Sequence, residues 1–381
     1  MDGLINNITK TTMELIILRT NLVEALGLVE RAVSDNTNLP ILKNVLVKSQ
    51  GGKITLVSTN LELAVECSIT GKVIKSGETT VSFSILSSIV RNLNTEMITI
   101  SEKDGKFSVE SENYGATIQS QSPKEFPIIP TMSDKAGNIK IKATEFGEAL
   151  SRVVVAAQYS DIRPEISGVF LNYSDDSLTL AATDGFRLSE NKLNKKSVVS
   201  DTDNTSVIVP LKTATELTRI IGRNEKEMEI LIDPNQILFD LADRRVISRL
   251  IDGTFPDYKA VIPKKFQGEV TVDRNELLNA IKLASTFSGR ANDISMRMGD
   301  NKKFLEVYSA NSSLGENNYK IPAKLNGDKF SLIFNWRYLL DGLKIYNGKD
   351  VVLGVNEPDR PVAMLDPNEP EQIYVAMPIR N

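Results

Sequence analysis

Six stretches of the chain repeat apolar residues at three- and four-residue spacing, which places those residues on one face of a helix. The first covers residues 18–34 and aligns Leu22, Leu26 and Val29. The others cover residues 83–94, 143–158, 211–223, 273–290 and 335–346. The pattern therefore predicts six amphipathic helices that begin 60 to 68 residues apart.

Between the helices, short segments alternate apolar and polar residues as strands do. At residues 178–190 the alternation is interrupted by Asp184 and Gly185, a pair that takes positive φ easily, so we predict a hairpin. Similar hairpins are predicted at residues 54–65 and 304–316. Further strands are predicted at residues 45–47, 53–57, 97–100, 169–172, 228–232 and 351–355. A helix followed by short strands thus forms an internal repeat.

Two segments with Phe-Pro and a closing proline, residues 122–130 and 250–263, have the composition of linkers. They predict three domains at residues 1–130, 131–263 and 264–381, in a chain too long for one core. Each domain would hold two helices on one side of antiparallel sheets. The predicted fold class is therefore α+β.

The composition argues against most enzyme chemistry. The chain has no histidine, and Cys67 is its only cysteine, so a histidine base, an intrachain disulfide and a cysteine-rich zinc site are excluded. Phosphate-loop, dinucleotide-loop and nucleophile-elbow motifs are absent too. We expect a protein that is not an enzyme and needs no cofactor or metal. A carboxylate-dependent hydrolase using Asp201 and Asp203 is the enzyme alternative, although that segment has the composition of a polar loop.

Charge and hydropathy bear on partners and location. The six helical segments carry 12 Lys or Arg and 8 Asp or Glu, whereas the whole chain has a net charge of −4. Basic charge on the helices indicates either ordinary solvated faces or a surface that attracts phosphate. The sequence shows neither a signal peptide nor an apolar run near the roughly 20 residues of a membrane span. We expect a cytoplasmic protein without a membrane partner.

Five motifs in order resemble the bacterial sliding clamp, the beta subunit of DNA polymerase III. They are NLPILKNVL, DIRPEISGVFL, AATDGFRL, LIDGTFPDYKAVIP and YVAMPIR, and they span nearly the whole chain. The resemblance implies three repeated clamp domains and a head-to-tail homodimeric ring that encircles duplex DNA as a processivity factor. Its implied partners are the clamp loader, the replicative polymerase and other proteins with a clamp-binding motif. A non-catalytic repeat scaffold that binds acidic partners is the alternative.

The resemblance implies basic residues on the helices that face DNA. The candidates are Arg19, Arg91, Arg152, Lys212, Arg219, Arg223, Arg274, Lys282, Arg337 and Lys344. For each one, an exposed charge or a salt bridge within a domain is the alternative. The loop at residues 35–38 lacks the basic residue that family members often carry there, which weakens a DNA contact from that loop. Ring closure is expected through sheet edges near residues 114–118 and after Phe287.

The resemblance also implies a pocket for short linear peptides between the second and third domains. The matching positions are Ile166, Thr183, Gly185, Phe186, Arg187, Leu188, Pro256, Val261, Asn335, Tyr338, Val375, Met377, Pro378 and Arg380. These residues supply apolar walls, an adaptable methionine and a few donors. The alternative is that Leu188, Val261 and Val375 are core residues and Arg187 braces the turn. Ala260 and Asn381 depart from the family pattern, so peptide preference is expected to differ.

Overall fold

The computed structural model describes residues 13–34, 38–202, 204–222, 226–299 and 302–380. All six predicted helices are confirmed in these ranges. They are α1 Arg19–Val29, α2 Phe83–Asn92, α3 Ala143–Val154, α4 Leu211–Ile221, α5 Arg274–Ser285 and α6 Trp336–Lys344. Each buries its apolar stripe, as Phe146, Leu150 and Val153 do in α3.

Twenty-six strands in the described ranges complete the fold, and the three predicted hairpins are confirmed. The strands are β1 Met13–Leu18, β2 Asn44–Gln50, β3 Lys53–Thr59, β4 Leu63–Ile69, β5 Gly71–Lys75, β6 Gly77–Ser82, β7 Met97–Lys103, β8 Lys106–Ser111, β9 Tyr114–Gln121, β10 Gly137–Lys142, β11 Gly168–Ser174, β12 Ser177–Thr183, β13 Arg187–Leu193, β14 Val198–Ser200, β15 Thr205–Pro210, β16 Glu227–Asp233, β17 Gln236–Asp240, β18 Arg244–Arg249, β19 Gly268–Asp273, β20 Asp293–Met298, β21 Phe304–Asn311, β22 Gly315–Gly327, β23 Ser331–Asn335, β24 Asp350–Val355, β25 Val362–Leu365 and β26 Gln372–Ala376.

The helices end earlier than their apolar periodicity predicts. After α1, the chain tightens into a 3-10 helix at Glu30–Ala32. Helix α4 ends because Gly222 takes a φ of 55°, a left-handed conformation that glycine adopts without steric cost. Apolar spacing continues to Val33 after α1, so periodicity alone could not locate that end.

The first compact unit, called unit 1, contains the residues up to Lys140 together with Lys226–Arg249. One antiparallel sheet runs through it in the order β16-β17-β18-β4-β3-β2-β6-β9-β8-β7-β1-β5. Helices α1 and α2 pack against each other, and α1 also packs on β3 and β4. Because β18 pairs with β4, bringing Ile247 opposite Ala64, the segment Lys226–Arg249 joins the first part of the chain.

The second compact unit, called unit 2, contains Ile141–Glu225 and the residues from Leu250 onward. Its sheet has the strand order β15-β11-β12-β13-β26-β25-β24-β19-β22-β21-β20-β23. Helix α3 packs on α4, and α5 packs on α6. Strand β13 pairs with β26, which places Leu188 opposite Val375 and joins residues of the second and third predicted domains in one sheet. No helix in the described ranges is long and apolar enough to cross a membrane.

Candidate functional site

The turn of the β12–β13 hairpin in unit 2 is fixed by its own side chains. Thr183 Oγ1 donates to the Arg187 carbonyl at 2.7 Å and accepts from the Gly185 N–H at 3.1 Å. Asp184 Oδ1 accepts from the backbone N–H groups of Phe186 and Arg187. Gly185 has a φ of 90°, the region that favours glycine. The turn therefore holds the Phe186 ring outward, with 63% of the residue exposed.

Arg187 is held in one position by partners on three sides. Its Nε donates to Asp184 Oδ2 at 2.9 Å, and its Nη1 donates to Asp341 Oδ2 at 2.7 Å. Its guanidinium also lies 4.6 Å from the ring centroid of Tyr338. Two charge-assisted hydrogen bonds and a cation–π contact leave the side chain little freedom. Arg187 therefore forms a rigid wall beside the turn.

An apolar cluster lies beneath the turn. Its buried members are Ile166, Ala181, Leu188, Ile208, Phe255, Tyr258 and Val375. Phe170 stacks on Phe255 with ring centroids 4.8 Å apart. Tyr258 Oη donates to Glu190 Oε2 at 2.5 Å. Burial, with this hydrogen bond, raises the pKa of Tyr258 above its ordinary value, so its hydroxyl stays a protonated donor.

A cavity of about 170 Å³, called the unit 2 groove, opens above this cluster. Ten of the fourteen predicted pocket residues line it, namely Ile166, Thr183, Gly185, Phe186, Arg187, Leu188, Pro256, Val261, Val375 and Met377. The structure adds Arg163, Asp257 and Tyr258, which the sequence reasoning missed. Asp257 and Tyr258 directly follow Pro256 in the linker, so their position next to a predicted pocket residue could have identified them.

The other four predicted residues lie outside the lining of the unit 2 groove. Asn335 caps α6, since its side chain accepts from the Arg337 N–H at 3.0 Å. Tyr338 lies under Arg187, and Pro378 is buried. Arg380 lines a neighbouring cavity of about 580 Å³ that shares Val261 and Met377 with the groove and also contains Ala260. Asn381 lies outside the described residues.

The arrangement suits a peptide better than a reacting small molecule. The groove combines apolar walls with few polar groups, and most of the polar ones are already fixed by neighbours. Such a surface holds apolar side chains of a segment whose backbone stays near solvent. Met377 can adapt its shape to different occupants. Asp201 of the hydrolase alternative is exposed in a loop, and Asp203 lies outside the described residues.

Two of the predicted DNA-facing arginines brace neighbouring helices. Arg19 Nε and Nη2 donate to the carbonyls of Val90 and Arg91, at the end of α2. In unit 2, Arg274 Nε donates to the Gly348 carbonyl at 3.0 Å and Nη1 reaches the Leu343 carbonyl at 3.4 Å. Cations at a helix carboxyl end satisfy carbonyls that have no partner within the helix. These guanidiniums are therefore engaged by the backbone.

Three other candidates form ion pairs. Arg152 Nη1 lies 2.6 Å from Glu369 Oε2 and its side chain is 14% exposed, so this guanidinium is engaged by a carboxylate, and its contact with DNA stays a prediction. Arg91 pairs with Glu30 at 2.7 Å, and Arg219 pairs with Glu216 at 2.9 Å; both arginines stay exposed. Exposed ion pairs are weak, so Arg91 and Arg219 remain accessible to a phosphate.

Four candidates are exposed on helices of unit 2: Lys212, Lys282, Arg337 and Lys344. Arg337 lies over the ring of Trp336, with its guanidinium carbon 5.2 Å from the ring centroid. Arg223 lies outside the described residues, as does most of the loop at residues 35–38, of which only Asn38 is described. Exposed cations thus accompany the helices without forming a dense patch.

Fold and groove together define a protein of repeated α+β elements with an apolar groove in unit 2. Three family models of the DNA polymerase III beta subunit match the chain in order. The N-terminal domain matches residues 13–130, the central domain residues 140–257 and the C-terminal domain residues 259–380. The chain therefore belongs to the DNA polymerase III beta subunit family, and it contains the three clamp domains of that family.

Individual relatives agree along nearly the full length. The beta sliding clamps of Synechocystis sp. and Synechococcus elongatus are 28% and 29% identical to this chain, covering 97% of it and 99% of each relative. A crystal structure of the DnaN sliding clamp of Pseudomonas aeruginosa bound to griselimycin is 26% identical with a TM-score of 0.91. That match covers 97% of this chain and 100% of the other.

Proposed function

We propose that this protein is a DNA sliding clamp, a non-catalytic processivity factor that acts in the cytoplasm. It encircles duplex DNA without regard to sequence and tethers the replicative polymerase and other DNA enzymes. A clamp loader places it on DNA. The unit 2 groove, present in a chain of the DNA polymerase III beta subunit family, is the observation that carries the proposal.

Open sheet edges support closure into a head-to-tail homodimer. In unit 1, β9 pairs with β8 along Tyr114–Gln119 but with β6 only at Ser120 and Gln121. In unit 2, β22 pairs with β21 over its first half and with β19 only from Ala323 onward. Each strand leaves backbone donors and acceptors on one side without a neighbouring strand in the described ranges, and such edges pair readily. One such partly unpaired strand on each unit suits a closed two-chain ring.

The charge on the helices supports weak contacts between the protein and DNA. The exposed cations Lys212, Lys282 and Lys344 are separated along the chain, and Arg91 and Arg219 are already paired with carboxylates. Dense phosphate contacts would bind duplex DNA tightly and in a strongly salt-dependent way. A ring that holds DNA by topology needs only weak contacts and slides more freely with them.

The unit 2 groove is the proposed tether. An extended segment of a polymerase would insert apolar side chains between Phe186, Val261 and Met377, above the floor formed by Leu188 and Val375. Arg187 keeps the wall beside the turn in place. Pro378 and Arg380 continue the surface toward the neighbouring cavity, where Ala260 sets part of the local shape.

Primer extension tests this proposal. On a singly primed circular template, with polymerase, loader and ATP, the protein should lengthen the products made in one binding event. Met377→Ala removes an apolar wall, so we expect a polymerase tail peptide to bind roughly tenfold more weakly by calorimetry and the products to shorten. Met97→Ala, at an exposed methionine of unit 1, is the control. Products of equal length with and without the wild-type protein would contradict the tether.

A further inference from the structure

The β3–β4 hairpin of unit 1 repeats the β12–β13 hairpin of unit 2 bond for bond. Thr59 Oγ1 donates to the Leu63 carbonyl at 3.0 Å and accepts from the Leu61 N–H at 3.0 Å, as Thr183 does with Arg187 and Gly185. Asn60 Oδ1 accepts from the N–H groups of Glu62 and Leu63, as Asp184 does in unit 2. Leu61 even shares the left-handed backbone of Gly185, with a φ of 76°.

The elements around the two hairpins correspond as well. The Arg249 N–H donates to the Glu62 carbonyl at 2.9 Å, as the Met377 N–H does to the Phe186 carbonyl at 2.8 Å. Ala64 pairs with Ile247 where Leu188 pairs with Val375. Below them, Phe126 of the linker packs on Leu46 and Val57, in the place where Phe255 packs on Phe170 in unit 2. Unit 1 therefore contains the same scaffold that forms the unit 2 groove.

This scaffold also encloses a cavity, called the unit 1 groove, of about 100 Å³. Leu61, Ile129 and Ile247 contribute apolar walls, and Ile128 stands at the rim with 93% exposure. An L residue seldom adopts the backbone of Leu61, and here that conformation directs a leucine outward, with 42% exposure. In unit 2 the exposed apolar side chain at the turn is Phe186, whereas in unit 1 Leu61 and Ile128 supply the exposed apolar surface.

Charge distinguishes the two grooves. Arg249 stands where unit 2 has Met377, and it is exposed. In the described part of the chain, the Arg249 guanidinium has no ion-pair partner. Glu62 stands where unit 2 has Phe186, and its exposed carboxylate disfavours a run of acidic residues. The unit 1 groove therefore complements one acidic side chain next to one aliphatic side chain.

We propose that the unit 1 groove is a second peptide site, which binds a short extended segment with one branched aliphatic residue beside one acidic residue. The proposal rests on the proposed peptide-binding function of the unit 2 groove, whose scaffold it shares. The smaller cavity admits a single aliphatic side chain, and Arg249 pairs with the neighbouring carboxylate. The chain would then hold two partner segments of different chemistry at once.

Methyl NMR can locate binding at each groove separately. The full-length protein is labelled at isoleucine δ1 methyls and titrated with an acetylated, amidated Gly-Ser peptide that contains one Leu-Asp pair. We expect saturable shifts of the Ile128, Ile129 and Ile247 methyls. The matched Leu-Lys peptide should bind at least about tenfold more weakly, because it places a cation beside Arg249.

Two charge-reversal variants sharpen the test. Arg249→Glu should reverse the preference, so that the Leu-Lys peptide binds better than the Leu-Asp peptide. Lys53→Glu, at an exposed lysine at the opposite end of β3 from Thr59, makes the same charge change in unit 1 and should leave the preference unchanged. An unchanged preference in Arg249→Glu would overturn the assignment of Arg249.

Isoleucines of unit 2 separate this proposal from the one it rests on. Ile166 and Ile262 belong to the cluster beneath the unit 2 groove. Shifts of their methyls without shifts of Ile128, Ile129 and Ile247 would overturn the second site and leave the first intact. An absence of shifts in both sets would also overturn the second site, while primer extension would still decide the proposed tether.

Discussion

At the scale of single residues, the arginines show that the neighbours of a side chain determine its role. Arg19 and Arg274 cap helix ends, Arg152 is paired with Glu369, and Arg187 forms the wall of a groove. Only the carbonyls and carboxylates within reach distinguish these roles, because the guanidinium is the same in each. Arg249, with no such partner in the described ranges, is the one for which we propose an external ligand.

Cys67 is another residue defined by its surroundings. The only thiol of the chain lies on β4 and is 4% exposed. Burial raises its pKa from 9.0 to about 11, and the nearby Arg244 offsets only part of that effect. The thiolate is the reactive form, so Cys67 should be inert near neutral pH.

Alkylation checks this expectation. At pH 8, iodoacetamide should modify the folded protein very slowly and the urea-unfolded protein readily. Because the pKa of Cys67 is higher in the folded state, the contribution of this thiol to the free energy of unfolding is fully present below pH 9. That contribution is lost as the pH rises from 9 toward 11. Equal alkylation rates in the folded and unfolded protein would show that Cys67 is accessible.

At the scale of elements, two helix pairs are joined by the arginine at which their first helix begins. Arg19 opens α1 and donates to carbonyls at the end of α2, while Arg274 opens α5 and donates to carbonyls at and after the end of α6. The bonds join elements about 70 residues apart in sequence. The arginine therefore fixes the packing of the pair more than the helicity of either member.

Replacing Arg274 tests this bracing role. Arg274→Ala leaves carbonyls of Leu343 and Gly348 without their donor in a partly buried site, and we expect a loss of about 1–3 kcal/mol in the free energy of unfolding. Urea denaturation followed by circular dichroism measures it. Arg290→Ala, at an exposed arginine of the same unit, should change stability by less than about 0.5 kcal/mol. Equal effects of both substitutions would exclude a specific brace.

Sequence patterns predicted the elements well because periodicity is local. All six helices and three hairpins were found from apolar spacing and from turn residues such as Gly185. Helix ends were not, since the 3-10 helix at Glu30–Ala32 ends α1 within an apolar pattern that continues to Val33. The pairing of β18 with β4 could not be predicted from the sequence pattern either, because strand pairing depends on residues far apart in the chain.

The candidate site was predicted in part for the same reason. Residues of the hairpin and the linker, such as Phe186 and Val261, follow from the motifs that carry the family resemblance. Tyr258 was missed because its role depends on burial and on the Glu190 carboxylate. The ion pair of Arg152 could not be predicted for a similar reason, since its partner Glu369 lies 217 residues away in sequence.

At the scale of the whole molecule, three features support one account. Each compact unit contains a strand with one partly unpaired side, β9 in unit 1 and β22 in unit 2. The helices carry accessible but scattered cations, among them Lys282 and Lys344. A groove suited to a linear segment lies in unit 2. We infer a closed ring that holds DNA by topology and partners by short peptides.

Retention on DNA with and without free ends tests this account most directly. The protein, first shown by light scattering to have twice the 42.1 kDa chain mass, is loaded on nicked circular plasmid with a clamp loader and ATP. We expect it to remain on the circle through a high-salt wash and to leave when a single cut linearises the DNA. Retention that is abolished by salt and indifferent to the cut, from a monomeric protein, would contradict the ring.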